Sequence, residues 1–172
     1  MKNSSDSLEI CSKQCGSKCC KSTPPALTQE DIERIEIQTE QKLWKKTIET
    51  EQKATYVVAK KNQSNNCFFL LEDGSCSIYE QRPLDCKLFP LFVKIKKRMK
   101  NEFKVKWLVW YCPLTETKGI EMLYSESREL LKKSLKKNPE EIFEYQESMY
   151  ISGGYKKKHF FKEESLKIKK SE

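Results

Sequence analysis

The sequence predicts an α+β fold: a small antiparallel sheet with helices, Cys-rich metal-bound loops and a C-terminal helical extension. Three observations predict it. Residues 91–97 and 103–109 alternate apolar and polar side chains, as the two strands of a hairpin do. Apolar residues recur at helical spacing from 28 to 48 and again from 116 to 135. Eight cysteines lie on short polar segments with little core of their own.

The elements follow in order along the chain. Residues 1–10 read as polar and frayed, and Pro24-Pro25 stiffens the chain after the first cysteines. Thr28 is placed to cap a helix, with Gln29, Glu30 and Asp31 in a first turn where acidic groups suit the helix dipole. Ile32, Ile35, Thr39, Leu43 and Ile48 form its apolar stripe. Residues 55–60 read as a strand, 61–66 as a loop and 67–71 as a short buried strand, followed by a tight turn at Asp73-Gly74. Pro83 opens a single helical turn over 83–88, and Pro90 stops it. In the hairpin, Val93, Ile95, Phe103, Val105, Trp107 and Val109 point to a core, while Lys94, Lys96, Lys104 and Lys106 form a solvated face. Ile120, Leu123, Ser127, Leu130, Leu131 and Leu135 define one later helix. Asn138-Pro139 separates it from a second helix, which carries Ile142, Phe143 and Tyr145 and ends at Gly153-Gly154. The expected organisation is a cysteine-cluster domain over 1–113, helices packed on it over 114–152, and a basic, flexible tail over 153–172.

The 172 residues suit one domain plus an appendage. Thirty-three Lys and Arg against 25 Asp and Glu give a formal charge of +8. Eight thiolates would cancel that charge, and two divalent ions would return the chain to +4, so the basic excess does not by itself demand nucleic acid. The opening MKNSSDSLEI has no apolar core of a signal peptide, and no run approaches the ~18 apolar residues of a membrane span. A soluble, cytoplasmic protein without a membrane partner is expected. Thiols stay reduced in that compartment, which favours metal or redox chemistry over disulfides.

The cysteine spacing is C11-x3-C15-x3-C19-C20, then C67-x8-C76-x9-C86-x25-C112. No CxxC pair is present, so no common zinc-finger pattern fits. The donor chemistry is more informative. Structural zinc takes four ligands in a tetrahedron, and iron–sulfur clusters also take four thiolates. Eight thiols therefore make two sets of four, or one set plus a redox or substrate-facing remainder, with zinc and iron–sulfur both open. The candidate metal ligands are Cys11, Cys15, Cys19, Cys20, Cys67, Cys76, Cys86 and Cys112. In an extended backbone the adjacent Cys19 and Cys20 would point to opposite sides and serve two centres. Lys13, Lys18, Lys21 and Lys87 are near in sequence and are expected to lower thiol pKa values. Arg82, four residues before Cys86, is placed to donate to sulfur or to Asp85.

Residues 67–90, CFFLLEDGSCSIYEQRPLDCKLFP, resemble the YkgJ-type cysteine-cluster family, a zinc- or iron-chelating domain. The resemblance extends to Cys19-Cys20, to the LTxxD helix opening at Leu27 to Asp31, and to Cys112-Pro113, so it spans about residues 11–113. The start departs from the family pattern, with C-x3-C-x3-CC in place of C-x2-C-G-x-CC. The resemblance implies metal chelation by the eight cysteines but no settled reaction; Tyr79, Arg82 and Asp85, beside them in sequence, are expected to support them. That domain also resembles part of a flagellin lysine N-methylase. This chain shows no glycine-rich turn after a strand to cradle S-adenosylmethionine, so protein lysine methylation rests on analogy alone.

Other chemistry is sparse. His159 is the single histidine and reads as solvated or loosely packed. Asp73, Glu80 and Asp85 could act as general bases, though turns and capping explain them as well. The basic hairpin and tail, with Phe92, Phe103, Trp107, Phe160 and Phe161 interleaved, permit a nucleic-acid partner. The leading expectation is a metal-chelating protein. The alternatives are an iron–sulfur-dependent redox or modification enzyme and a basic nucleic-acid-binding module.

Overall fold

The computed structural model describes residues 7–22, 24–49, 54–61, 64–99 and 101–168. The fold is α+β, with two three-stranded antiparallel sheets and helices that pack against them. The chain opens with a single π-helical turn, Ile10–Gln14, and a short helix α1, Lys18–Ser22. Strand β1 is Ala26–Leu27. Helix α2, Gln29–Thr39, starts at a capping box: the Thr28 hydroxyl accepts from the Asp31 N–H at 3.1 Å, and the Asp31 carboxylate accepts from the Thr28 N–H at 3.2 Å.

The helical stripe does not run on to Ile48. Helix α2 stops at Glu40, whose φ of 54° is left-handed. The chain continues as β2, Trp44–Glu49, paired with β3, Ala54–Val58, and the sheet order is β1-β3-β2. Trp, Thr and Ile in 44–49 favour a pleated strand once the left-handed residue has broken the helix. Residues 67–71 also differ from expectation. They make isolated bridges, Lys60 with Cys67 and Leu70 with Cys76, and no regular strand. The Asp73-Gly74 turn folds the chain back at once, with the Gly74 N–H on the Leu71 carbonyl at 3.1 Å, so no ladder has room to grow. Cys67, Phe69 and Leu70 are buried even so.

The second sheet runs β4-β5-β6. Strands β4, Leu91–Met99, and β5, Glu102–Val109, form the expected hairpin, with Leu91 opposite Val109, Val93 opposite Trp107 and Ile95 opposite Val105. The third strand replaces the expected loose tail over part of its length: His159–Lys167 forms β6, antiparallel to β5. Residues 169–172 of that tail lie outside the described residues, as do 1–6 of the start and 62–63 of the expected loop. Two contacts hold β6. Leu166 is 1% exposed, and Glu164 accepts hydrogen bonds from Trp107 Nε1 at 3.0 Å, Tyr124 Oη at 2.5 Å and Arg128 Nε at 2.8 Å.

Helix α3, Leu84–Leu88, precedes β4; α4, Pro113–Lys118, α5, Ile120–Lys137, and α6, Pro139–Ile151, follow β5. Two apolar cores result. The larger joins the β4–β6 sheet to α5 and α6 through Val105, Trp107, Leu131, Ile142 and Tyr145. The smaller joins α2, β3 and the 67–78 loop through Ile32, Ile35, Val58, Phe69 and Ile78. Removing a fully buried ring such as Trp107 from such a core costs about 3–5 kcal/mol.

Candidate metal centre

The cysteines lie along the seam between the two cores. Cys11 and Cys112 pack on the larger core, and Cys20, Cys67 and Cys76 on the smaller one. The N-terminal limb spans the seam. In its π-turn the Cys15 N–H reaches the Ile10 carbonyl at 3.0 Å, a turn that holds one residue more than an α-helical one. Gly16 and Ser17 then take left-handed φ values of 62° and 55°, and the Ser17 N–H closes on the Cys11 carbonyl at 2.9 Å. These two devices absorb the long C-x3-C-x3-CC spacing. Cys112 is the N-cap of α4 and adjoins this limb, where Thr117 of α4 bonds Gln14 at 3.4 Å.

The other limb is built from the 67–90 segment. Cys67 donates its N–H to the Cys20 carbonyl at 2.6 Å. Ser17 Oγ donates to the Gly74 carbonyl at 2.5 Å, fixing the hairpin tip beside the N-terminal limb. Gly74 has φ 82°, and a Cβ there would sit 3.2 Å from Ser17 Oγ, so glycine is required on both counts. Asp31 ties α2 to this limb. Its carboxylate is 0% exposed and accepts from the Leu84 N–H at 3.1 Å, which positions the helix carrying Cys86. Arg34 pairs with Asp31 and donates to the carbonyls of Gln81 at 3.2 Å and Arg82 at 3.3 Å. Asp31 thus does more than favour the helix dipole, the role its first-turn position suggests. The signal that could have found it is the T-x-x-D spacing of a capping box.

Helix α1 also changes the picture of Cys19 and Cys20. They are not in extended backbone but successive on a helix. The adjoining Cys20 thiol and burial together push the Cys19 thiol far up. Burial and the neighbouring Cys19, Cys15 and Cys112 thiols push Cys11 up to about 12. Burial raises Cys67 to about 11, with Cys76 and Cys19 adding to it. Burial likewise raises Cys76, Cys112 and, most strongly, Cys86, whose other causes are Asp85 and the thiols of Cys19, Cys67 and Cys76. The net shift of these thiols is upward, and Lys13, Lys18, Lys21 and Lys87, from which a lowering was expected, are not among the groups that oppose it. Lys13 is paired with Glu9 at 2.8 Å, and the cations that oppose the rise are Arg82, at Cys11 and Cys76, and Lys61, at Cys67.

Arg82 does not bond Asp85. Its guanidinium lies over the Tyr79 ring, 3.9 Å from the centroid, and donates to the Tyr79 carbonyl at 2.7 Å. Asp85 turns to the other side, where it accepts from the Ala26 N–H at 3.0 Å and lies near Tyr145 and Lys158; burial raises its carboxyl to about 6. The buried Tyr145 hydroxyl, though near Asp85, makes no hydrogen bond of good geometry among the described residues. Asp73 accepts from the Ser75 N–H at 2.9 Å, a turn role. His159 is exposed at the end of β6, its ring 5.6 Å from that of Tyr111. A cavity of about 150 Å³ is lined by Asp31, Arg34, Lys87, Lys133 and Glu141 among others, and no cysteine lines it.

The donor set is chemically apt for a soft metal: eight free thiols, no disulfide among them, within two adjoining limbs. The side chains stand apart as they are, since among the described residues no three Cys, His, Asp or Glu converge closely enough to hold an ion. The thiols nonetheless raise one another's pKa values across both limbs.

Residues 10–113 match the model of the CxxCxxCC family, described as "Putative zinc- or iron-chelating domain". The chain belongs to this family. The match begins at the π-turn and ends just after Cys112, so it takes in all eight cysteines. No curated protein and no solved structure matches the chain. No helix among the described residues is long and apolar enough to cross a membrane.

Proposed function

We propose that the protein chelates two metal ions through two four-thiolate sets that share the Cys19-Cys20 step. Cys11, Cys15, Cys19 and Cys112 make one set, and Cys20, Cys67, Cys76 and Cys86 the other. The observation that carries this reading is the position of the adjacent pair. The Cys19 thiol raises Cys11 and Cys112 on one limb and Cys67, Cys76 and Cys86 on the other, which puts the pair at the junction of the sets, while Cys20 packs on the smaller core with Cys67 and Cys76 and its carbonyl accepts the Cys67 N–H. Thiolates bind as anions, so metal entry releases protons and turns the cost of their burial into attraction. When bound, zinc would cross-link the limbs structurally, and an iron–sulfur centre would add electron transfer. Arg82, beside Cys11 and Cys76, supports both sets as a fixed positive charge, with Tyr79 holding its guanidinium flat.

The test is anaerobic purification followed by zinc, iron and acid-labile sulfide analysis, repeated on Cys→Ser variants. Two centres per chain are expected: two zinc ions, or two clusters whose iron is matched by acid-labile sulfide. The Cys11→Ser/Cys112→Ser double variant retains one centre, and Cys11→Ser/Cys67→Ser loses both. Less than a tenth of an ion per folded chain, with all thiols reactive, would sink the proposal. Loss of both centres from every single variant would show one shared cluster and refute the division into sets.

A further inference from the structure

One face of the β4–β6 sheet, buried at Phe92 and Leu108 and open beyond them, carries an arrangement the metal site does not explain. Across β4 and β5, Lys94 stands directly opposite Lys106, and Lys97 directly opposite Lys104. Like charges in direct cross-strand register destabilise a sheet. Two successive rows of them are therefore a cost that the fold carries. Neither Lys97 nor Lys104 has a carboxylate partner among the described residues, and both are exposed. The third strand relieves one row only, by placing Glu163 beside Lys106.

Aromatic rings are interleaved with these charges and left open. Phe160, on β6, is 59% exposed, with the Lys106 ammonium 5.3 Å from its ring. Tyr150 is 50% exposed, and Lys94 lies 4.5 Å from its ring. Trp110, 45% exposed, has Lys158 over it at 3.7 Å. The sheet thus has cations in rows about 7 Å apart along the strand, with half-exposed rings grouped beside the Lys94–Lys106 row.

We propose that this face binds single-stranded nucleic acid, with phosphates on the two lysine rows and bases stacked on Phe160 and Tyr150. An extended single strand offers both partners that the face lacks: closely spaced anions and flat rings. A duplex hides its bases, and an acidic peptide or an anionic membrane supplies charge but no rings to stack. The reading stands on residues outside the cysteine limbs, so it survives or fails separately from the metal proposal.

The experiment uses the full-length protein as purified and a fluorescein-labelled oligo(dT) or oligo(rU) of about 15 nucleotides, long enough for one such platform. Anisotropy is read from 50 to 300 mM KCl. Expected is a linear fall of log K with log salt, of slope about −2 to −3 for three to four phosphates neutralised. The Lys97→Glu/Lys104→Glu variant should bind at least tenfold more weakly with a flatter slope, at unchanged metal content and melting temperature. Phe160→Ala should weaken binding about fivefold or more with the slope unchanged, since it removes a stacking partner and no charge. No binding at 50 mM KCl overturns the proposal. So does binding that ignores both variants, tighter binding to duplex than to single strands, or equal affinity for polyglutamate or phosphatidylserine vesicles. Because the wild-type salt dependence and the competitor series need no variant, a variant that misfolds does not remove the test.

Discussion

Replacing Asp31 with alanine should unfold the link between α2 and the cysteine-bearing 67–90 segment. The carboxylate is wholly buried and accepts from three groups: the Thr28 N–H at 3.2 Å, the Leu84 N–H at 3.1 Å and the Arg34 guanidinium. Alanine leaves two amides unpaired next to Thr28, 1% exposed, and Leu84, 3% exposed. Each unsatisfied buried amide costs about 1–3 kcal/mol, and loss of the reciprocal cap adds about 1. The Arg34 side chain is 28% exposed, so water recovers much of its solvation and its share is small. The lower ends of these ranges sum to about 3 kcal/mol. For a chain of this size that is a fall in Tm of roughly 6–12 °C. Scanning calorimetry of the metal-loaded protein, before and after chelator, measures it. Asp31→Asn, which keeps one acceptor oxygen, should fall between wild type and alanine. A loss below 1 kcal/mol for Asp31→Ala, with two-state unfolding and full metal retention, would refute the reasoning that this carboxylate holds α3 and Cys86 in place.

Three further outcomes follow from the same structure. Burial pushes the Glu164 carboxyl up, but hydrogen bonds from Tyr124, Arg128 and Trp107 and the charge of Arg128 outweigh it, so its pKa lies below the usual range. A depressed carboxyl contributes stability that is complete above the unfolded value of about 4.3 and is lost as pH falls through the lower folded value. Urea unfolding of wild type against Glu164→Gln should accordingly show a gap that narrows below about pH 4, and a gap independent of pH would contradict it. Arg82→Met removes the cation that opposes the rise at Cys11 and Cys76, so zinc affinity by competition with a chromogenic chelator should drop about 10–100-fold, most at the acid end of the titration. Gly74→Ala forces a left-handed Cβ against Ser17 Oγ and should destabilise by roughly 1–2 kcal/mol in denaturant titration, whereas Gly16→Ala, with nothing within 4 Å of its Cβ, carries the backbone strain alone and should cost less.

The local parts of the fold were legible because their causes are local. Thr28 as a cap, the Asp73-Gly74 turn, the 91–109 hairpin, and the helices after Cys112 and Asn138 each rest on residues within one turn or one strand of each other. The metal-chelating character was legible for a related reason: the number and softness of the thiols are properties of composition, independent of where the chain puts them.

The larger departures concern partners distant in the chain. The apolar pattern through Ile48 is compatible with a helix, and only the left-handed Glu40 and the pairing with β3 make 44–49 a strand. The segment after Gly154 looks like a solvated tail until Trp107, Tyr124 and Arg128 converge on Glu164, more than 35 residues away from each of them. The pairing of lysine with lysine across the hairpin is a matter of register, set by a bulge between Ile95 and Lys97 that no spacing rule announces.

By itself, then, the sequence determined an α+β chain of the zinc- or iron-chelating family, with eight soft donors and the helices, turns and hairpin that short-range propensity fixes. The tertiary structure alone decided which core each cysteine packs on, that Asp31 is the post between α2 and α3, and that the last strand completes a sheet with paired lysines across β4 and β5. The physical reason is that donor softness and helix propensity belong to single residues or neighbours, whereas burial, register and electrostatic coupling belong to pairs that meet only when the chain has folded.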